Sequence, residues 1–274
     1  MSTQPLLTLL SDFGLQDGYV GMMKGVIAHI NPAVRTIDLT HQIPPQNIAA
    51  ARFVLMNAYP FFPAGTVHVA IVDPGVGSAR RAIALHLADG SFVVGPDNGL
   101  FSGVLMQRQV VQAAELTNTR YWRRAEPSTT FHGRDIFAPV GAHLASGVSL
   151  GELGSQIDPA TLVQFPISAP TPTRSGFAGT IQYIDRFGNA ITTIPGDFVK
   201  ERAWSVATST TSAPGCRAYS DVAPGQPLAL IGSHGWVELA VNEGDARSQL
   251  RLSWHSPIEV VIGIQGNQAE YPSR

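Results

Sequence analysis

The sequence predicts an α/β N-terminal domain, its central and mostly parallel sheet flanked by helices, joined to a smaller all-β C-terminal domain. Three observations carry that expectation. Over the first 165 residues, short apolar runs alternate with stretches of helical periodicity. From Pro166 to Gly176, prolines 166, 170 and 172 lie among small polar residues, the composition of a linker. Beyond it, short β-type runs follow one another without a convincing helix between them. The expected domains are 1–167 and 177–274.

Leu6 to Leu10 reads as a buried strand. After Ser11-Asp12-Phe13-Gly14 a helix is expected from Asp17, whose carboxylate would cap free backbone N–H groups. Val20, Met23, Ile27 and Ile30 then return to one face, and Asn31-Pro32 ends the helix. A strand over Val34 to Leu39 leads to a helix from Gln46 to Ala58, stopped by Pro60 and Pro63. Three β-rich runs follow, Val67 to Val72, Ala82 to Leu87 and Phe92 to Val94. Ile136, Val140 and Leu144, at a spacing of four, mark a helix over Arg134 to Ala145. In the C-terminal part the strand runs are Thr180 to Ile184, Ala190 to Ile194, Pro227 to Ile231, Val237 to Val241 and Glu259 to Ile262.

A chain of 274 residues with 44% hydrophobic and only 14% charged residues can bury a real core, and its 27 glycines and 20 prolines imply many tight turns. A formal charge of −2 argues against nucleic acid or an anionic membrane as partner, since both require a concentrated basic surface. The short basic run Arg120 to Arg124 reads as a solvated or structural turn. Cys216 stands alone, so no internal disulfide can form. No basic leader precedes Leu6 to Leu10, and that run is too short for a signal core or a membrane span, so a cytoplasmic location is expected.

In an open α/β sheet, ligands bind outside the carboxyl ends of the strands, and the polar residues of this sequence gather there. Asp12 and Asp17 follow the first strand, Asp73 follows Val67 to Val72, and Asp97-Asn98 follow Phe92 to Val94. His132 precedes the helix at 134. Asp73-Pro74-Gly75-Val76-Gly77-Ser78 sets a carboxylate at the end of a continuous apolar strand, where two glycines let a ligand approach the backbone. It is no dinucleotide fingerprint, because Arg80 takes the place of the third glycine and a strand follows. Walker A and His-Glu-x-x-His sequences are absent, and there is no Gly-x-Ser-x-Gly elbow: Gly147-Val148-Ser149-Leu150-Gly151 has the letters but follows the helix expected to end at Ala145, where the elbow needs a strand before it. Duller readings stand beside these. Asp73 can cap its own turn and pair with Arg80 or Arg81, and His132 can be a packed histidine. Asp38 and His41, three apart, have metal-like spacing but look like a strand end entering a turn, and no metal is expected. His29, His68, His86 and His143 fall within regular elements and read as structural. Asp185 and Asn189 bracket an ordinary hairpin turn.

Seven segments, taken together and in order, carry a resemblance. They are Ser11-Asp12-Phe13-Gly14 with Asp17-Gly18-Tyr19-Val20-Gly21; Ile37-Asp38-Leu39-Thr40-His41 with Ile43-Pro44; Val72-Asp73-Pro74-Gly75-Val76-Gly77; Gly95-Pro96-Asp97-Asn98-Gly99; Phe131-His132-Gly133-Arg134-Asp135; Asp185-Arg186-Phe187-Gly188-Asn189; and Gly232-Ser233-His234-Gly235 through Val241-Asn242. The chain resembles the S-adenosylmethionine hydroxide adenosyltransferase family, relatives of the fluorinating and chlorinating enzymes. The resemblance implies a homotrimer in which the substrate lies between one subunit's N-terminal domain and its neighbour's C-terminal domain. By motif position it implies that Asp12 holds the ribose hydroxyls and that Asp17, Asp185 and Ser233 hold the methionine ammonium and carboxylate. Asn189 and Phe187 would address adenine, with backbone near Ala246 bonding to it, and Asn98 would add a contact. Where the halogenating members resemble one another in carrying tyrosine, this chain has Asp73, with the Arg80 and His132 of the hydrolytic members. His234, bulky within its turn, and Asp245, charged beside the adenine edge, depart from the pattern.

The implied reaction is hydrolysis of S-adenosyl-L-methionine to adenosine and methionine, without a cofactor. The sulfonium is already a good leaving group, so the difficulty is to make water a nucleophile at carbon 5′. A carboxylate or imidazole can take the proton and a guanidinium can hold the incipient hydroxide. An arginine close to a carboxylate stabilises its charged form and weakens it as a base. Asp73 is therefore expected mainly to orient the water, with the final acceptor open between it and His132. The alternatives are a non-catalytic adenosyl-binding protein, a halogenating member of the same family, and a metal-dependent hydrolase using Asp38, His41 or His132.

Overall fold

In the computed structural model, which describes residues 4–263, the chain divides after Pro166 into two units, each with its own core. In the first, β1 (Leu6–Ser11) pairs in parallel with β2 (Arg35–Thr40) on one side and β3 (Val67–Ile71) on the other. β4 (Ala82–Leu87) pairs antiparallel with both β5 (Phe92–Pro96) and β6 (Val110–Glu115), and β5 lies parallel to β3. The short β7 (Ser155–Gln156) adds antiparallel to β6 and completes the order β2-β1-β3-β5-β4-β6-β7. The expectation of a mostly parallel sheet is corrected: its parallel half is β2-β1-β3-β5 and the rest is antiparallel. The connection from Leu87 to Phe92 is too short for a crossover helix, so β4 and β5 can only form a hairpin. β6 escaped the sequence reading because only part of it is buried.

All five residues of β3 are buried, as a central strand covered on both faces requires. α1 (Tyr19–Ile30) presents Val20, Met23 and Ile27 to the core. Its cap position is Gly18, with no side-chain capping bond, so the expected cap by Asp17 is corrected. α2 (Ile48–Ala58) begins two residues later than predicted because Asn47 accepts the Ala50 N–H at 2.9 Å and fixes the start there. α3 (Ser102–Leu105) is a single turn after β5. The helix predicted from Arg134 is two structures, a π-helical turn over Gly133–Phe137 followed by α4 (Ala138–Ala145). The wider turn moves the residues ahead of α4 off the regular helical path, a device common at functional sites.

The second unit is an antiparallel sheet of β8 (Thr171–Pro172), β9 (Gly176–Ile184), β10 (Ala190–Pro195), β11 (Trp204–Ala207), β12 (Ser212–Pro214), β13 (Pro227–Ile231), β14 (Trp236–Val241) and β15 (Pro257–Ile262). Its order is β12-β11-β15-β9-β10-β14-β13, with β8 on β9, and a bridge from Gly215 to Ala229 nearly closes it into a barrel. β8 lies inside the stretch read as linker and folds back onto Phe177 and Ala178. A short helix, α5 (Ala246–Gln249), follows β14. Among the described residues, no helix is long and apolar enough to cross a membrane.

Candidate active site

The carboxyl ends of β1, β2, β3 and β5 lie side by side, and the loops that leave β1, β2 and β3 enclose a pocket of about 400 Å3 together with the turn before α4. Asp12, Phe13, Tyr19, Pro45, Gln46, Asp73, Val76, Thr130, Phe131 and His132 are among its walls. Asp12 accepts the Gln46 backbone N–H at 2.7 Å, which fixes one carboxylate oxygen. Phe13, Tyr19 and Phe131 form an aromatic cluster with centroids 5.1 to 5.9 Å apart. The sequence reading named neither Tyr19 nor Gln46 as a site residue. Gln46 has φ +64°, and its only sequence signal is its place after Pro44-Pro45.

Asp73, Arg80 and His132 meet at this pocket although His132 is 52 residues from Arg80. Arg80 Nε donates to Asp73 Oδ1 and Oδ2 at 3.0 and 3.1 Å, and its Nη2 donates both to Asp73 Oδ2 and, at 2.7 Å, to His132 Nδ1. Asp73 and His132 line the pocket while Arg80 stands behind them, its guanidinium 5.2 Å above the Phe137 ring. Gly77 makes the connecting loop possible. Its φ is +77°, and a Cβ there would come within 2.5 Å of the Thr129 carbonyl oxygen. Arg81, the other candidate partner of Asp73, is bound instead to Asp97.

Since an arginine only donates, His132 Nδ1 must accept, and the ring proton of neutral His132 sits on Nε2. Burial, and then the positive charge of Arg80, hold the His132 pKa below its ordinary value, which favours that neutral form. Three residues along, Asp135 is fully buried. Burial alone would raise its pKa, but bonds from Arg134, the Ser128 N–H and Arg123 together outweigh that and lower it well below the usual carboxylate range. Arg123 reaches Asp135 at 2.5 Å, so the basic run that includes it serves to anchor the turn that carries His132.

Asp17 is exposed in the loop before α1, outside the pocket walls. Asn98 donates to the Val72 carbonyl at 2.8 Å and accepts from Leu100 N–H at 3.2 Å. It ties the end of β3 to the turn after β5 and is not among the pocket walls. Asp38 and His41 do come together, at 3.2 Å, but Lys24 Nζ sits 2.7 Å from the other Asp38 oxygen, where a cation would bind.

The second unit has its own pocket, about 600 Å3, walled by Phe187, Asn189, Tyr219, Val241, Glu243, Gly244 and Asp245. Asp185 accepts the N–H groups of Phe187 and Asn189, each at 2.9 Å, and the Asn189 amide at 3.1 Å, so its carboxylate shapes the turn. Phe187 is held 76% exposed at the tip of that turn, its ring face open beside the pocket. Gly188, at φ +85°, lets the turn approach Asp245, since a Cβ there would lie 2.2 Å from Asp245 Oδ1. Asp245 caps α5 through Ser248, and Arg247 N–H bonds to Gly188 O, so backbone at Ala246 follows the pocket edge. Ser233 is exposed in the β13–β14 turn, outside this pocket. A polar chain leads from that turn to the pocket: His234 Nε2 lies 3.1 Å from buried Glu238, which accepts from the Tyr219 hydroxyl at 2.8 Å. Tyr219 gave no signal in the sequence, since it lies in a stretch without period.

Residues 7–154 match the SAM hydroxide adenosyltransferase N-terminal domain and residues 179–259 the C-terminal domain of that family. The chain belongs to the SAM hydroxide adenosyltransferase family. Within or beside it, the chain is 42% identical to the (R)-S-adenosyl-L-methionine hydrolase of Salinispora tropica, over 96% of this chain and all of that one. A fluorinase of an Actinoplanes species is more distant, 29% identical over 87% of this chain and 91% of its own length. A crystal structure of an uncharacterized conserved protein from Thermotoga maritima superposes with a TM-score of 0.86 at 36% identity, covering 93% of this chain and 99% of that one. As a hydroxide adenosyltransferase family member, the chain has its Asp73-Arg80-His132 cluster inside the N-terminal match and its Phe187 turn inside the C-terminal match.

Proposed function

We propose that the chain hydrolyses S-adenosyl-L-methionine to adenosine and L-methionine by attack of water at carbon 5′ of the ribose. The observation that carries this reading is the Asp73-Arg80-His132 cluster, two of whose members face a pocket that also holds the Asp12 carboxylate. Water bound between Asp73 and His132 attacks carbon 5′. The carbon–sulfur bond breaks with its electron pair going to sulfur, and methionine leaves as a neutral thioether. His132 Nε2–H donates to the water and so is not its base. Asp73 Oδ1, less engaged by Arg80 than Oδ2, is the proton acceptor. Arg80 touches no reacting atom in this scheme. It fixes both partners of the water and keeps His132 in the donating tautomer. Attack by a hydroxide-like oxygen on a sulfonium cancels charge, so a dry pocket lowers the barrier.

Asp12, with one oxygen held by Gln46, offers the other to the ribose hydroxyls. Phe187 stacks on adenine and Asn189 bonds to its edge, with the Ala246 backbone alongside. Asp17 and Ser233, exposed on their loops, and Asp185 take the amino-acid end. Neither pocket alone carries all these groups, and the homotrimer that the family resemblance implies would complete each site with a neighbouring subunit. The reaction needs no metal or organic cofactor, since the leaving group is already activated, and a cytoplasmic location follows the substrate.

Purified protein incubated with S-adenosyl-L-methionine is expected to release adenosine and methionine in equal amounts, with activity surviving exhaustive chelation. Tight binding without adenosine release would make it an adenosyl-binding protein. A 5′-halogenated nucleoside formed in chloride or fluoride would make it a halogenating enzyme.

A further inference from the structure

Beneath the Asp12 side of the pocket lies a buried polar chain that the reaction scheme does not use. The His41 side chain is only 1% exposed. Its Nδ1 is 2.7 Å from Ser11 Oγ, and its Nε2 faces Asp38 Oδ1 at 3.2 Å, bent enough to be an electrostatic contact rather than a full hydrogen bond. Lys24 Nζ, from α1, closes the chain on the other Asp38 oxygen at 2.7 Å. The direction of the chain follows from Asp38, whose ionised carboxylate can only accept. With the His41 ring proton on Nε2, facing that carboxylate, Nδ1 accepts the Ser11 hydroxyl proton. Ser11 Oγ in turn accepts the Phe13 N–H at 3.3 Å. Ser11 itself is fully buried and cannot meet a substrate, so the arrangement is not a nucleophilic triad.

Its position is what gives it a consequence. His41 grips both sides of Asp12: its ring holds Ser11, and its carbonyl accepts the Gly14 N–H at 2.7 Å. The loop after His41 then returns to the same carboxylate. Ile43 N–H bonds to the Ser11 carbonyl at 3.4 Å, and Gln46 N–H, on a backbone at φ +64°, reaches Asp12 Oδ2 at 2.7 Å. A non-glycine residue in that left-handed conformation costs about 1 kcal/mol or more and persists only where its surroundings hold it. The His41 ring lies where the β2 loop is fastened to β1.

We propose that His41 is a positioning residue, which through Ser11 and the 41–46 loop sets the Asp12 carboxylate for the ribose diol. The proposal rests on the reading of Asp12 as the diol-binding group. Its test compares wild type, Ser11→Ala, His41→Gln and His41→Asn on S-adenosyl-L-methionine and on the analogue lacking both ribose hydroxyls. Ser11→Ala and His41→Gln are expected to raise KM for the natural substrate by about tenfold, the loss of one buried hydrogen bond, with kcat within about threefold. His41→Asn, whose amide can reach Ser11 as Nδ1 does, is expected to recover most of that loss. On the dideoxy analogue all four proteins should behave alike, because Asp12 then has nothing to hold.

An equal loss on both substrates, or no loss on the natural one, overturns the positioning role. Should the His41 variants fail to fold, Ser11→Ala, which deletes one oxygen, carries the comparison. Wild type and Asp12→Ala measured alongside separate the two levels. If wild type does not distinguish the natural substrate from its dideoxy analogue, or if Asp12→Ala distinguishes them as well as wild type does, the diol reading fails and takes the proposal with it. If wild type distinguishes them and the variants lose equally on both, only the positioning role fails.

Discussion

Arg80→Lys is the most informative single change at the proposed site, because it keeps the charge and removes the fork. One guanidinium reaches both Asp73 oxygens through Nε at 3.0 and 3.1 Å while Nη2 reaches Asp73 Oδ2 and His132 Nδ1 together. A lysine ammonium is a point donor on a flexible stem and cannot reproduce that planar bridge. The Arg80 and Asp73 side chains are only 11% and 6% exposed, so water compensates little for the lost geometry. Losing one or two charge-assisted bonds is worth about 3 kcal/mol, or roughly a hundredfold in kcat by the relation between barrier and rate. KM should stay near wild type, since the adenosyl contacts are elsewhere. Adenosine release by Arg80→Lys, measured at saturating substrate with the fold checked by circular dichroism, is the assay. A kcat within about threefold of wild type would show that the bridge does not organise the reaction.

Activity is expected to fall as pH drops below about 6.5, because protonated His132 can no longer accept from Arg80 and its lowered pKa sets the midpoint beneath the ordinary imidazole value; a pH–rate profile of kcat checks this, and His132→Gln should lose that limb. His68 is buried in β3, accepts from or donates to Thr8 at 2.8 Å, and has its pKa pushed down to about 4, chiefly by burial. It stays neutral in the fold while the unfolded chain protonates, so its contribution is complete above about 6.5 and fades as pH falls toward 4, by about 2–3 kcal/mol. Urea unfolding at pH 7 and 4.5 should show that loss in wild type and a smaller one in His68→Asn. Phe187→Ala should raise KM by about fivefold to tenfold, the worth of one aromatic stack, and leave the unfolding midpoint unchanged because the ring is 76% exposed.

The strand ends were legible in the sequence because burial writes itself there as apolar runs. The runs from Ala82 to Leu87 and Pro227 to Ile231 match the observed strands residue for residue. Half-buried strands such as β6 and β11 carry no such run and were invisible. Strand direction was legible through connection length: the short link from Leu87 to Phe92 admits only a hairpin, which the expectation of a mostly parallel sheet overlooked. At the site, Asp73 announced itself by ending a strand before Pro-Gly, but its pairing with Arg80 rather than Arg81 depends on a loop that Gly77 bends. The π-helical turn behind His132 was beyond sequence reasoning, because Ile136, Val140 and Leu144 keep a helical spacing across it. Tyr19, Gln46 and Tyr219 were missed for a common reason: a wall of a pocket needs no motif, only a backbone that delivers it.

The claim on which the rest depends is that solvent, aimed by Asp73 and His132, is the group that bonds to carbon 5′. A single turnover of S-adenosyl-L-methionine in oxygen-18 water, with enzyme in excess and the released adenosine weighed by mass spectrometry, measures this directly. The predicted result is one heavy oxygen at the 5′ hydroxyl in the first turnover. Unlabelled adenosine would mean that a protein oxygen attacked first, and would contradict the account.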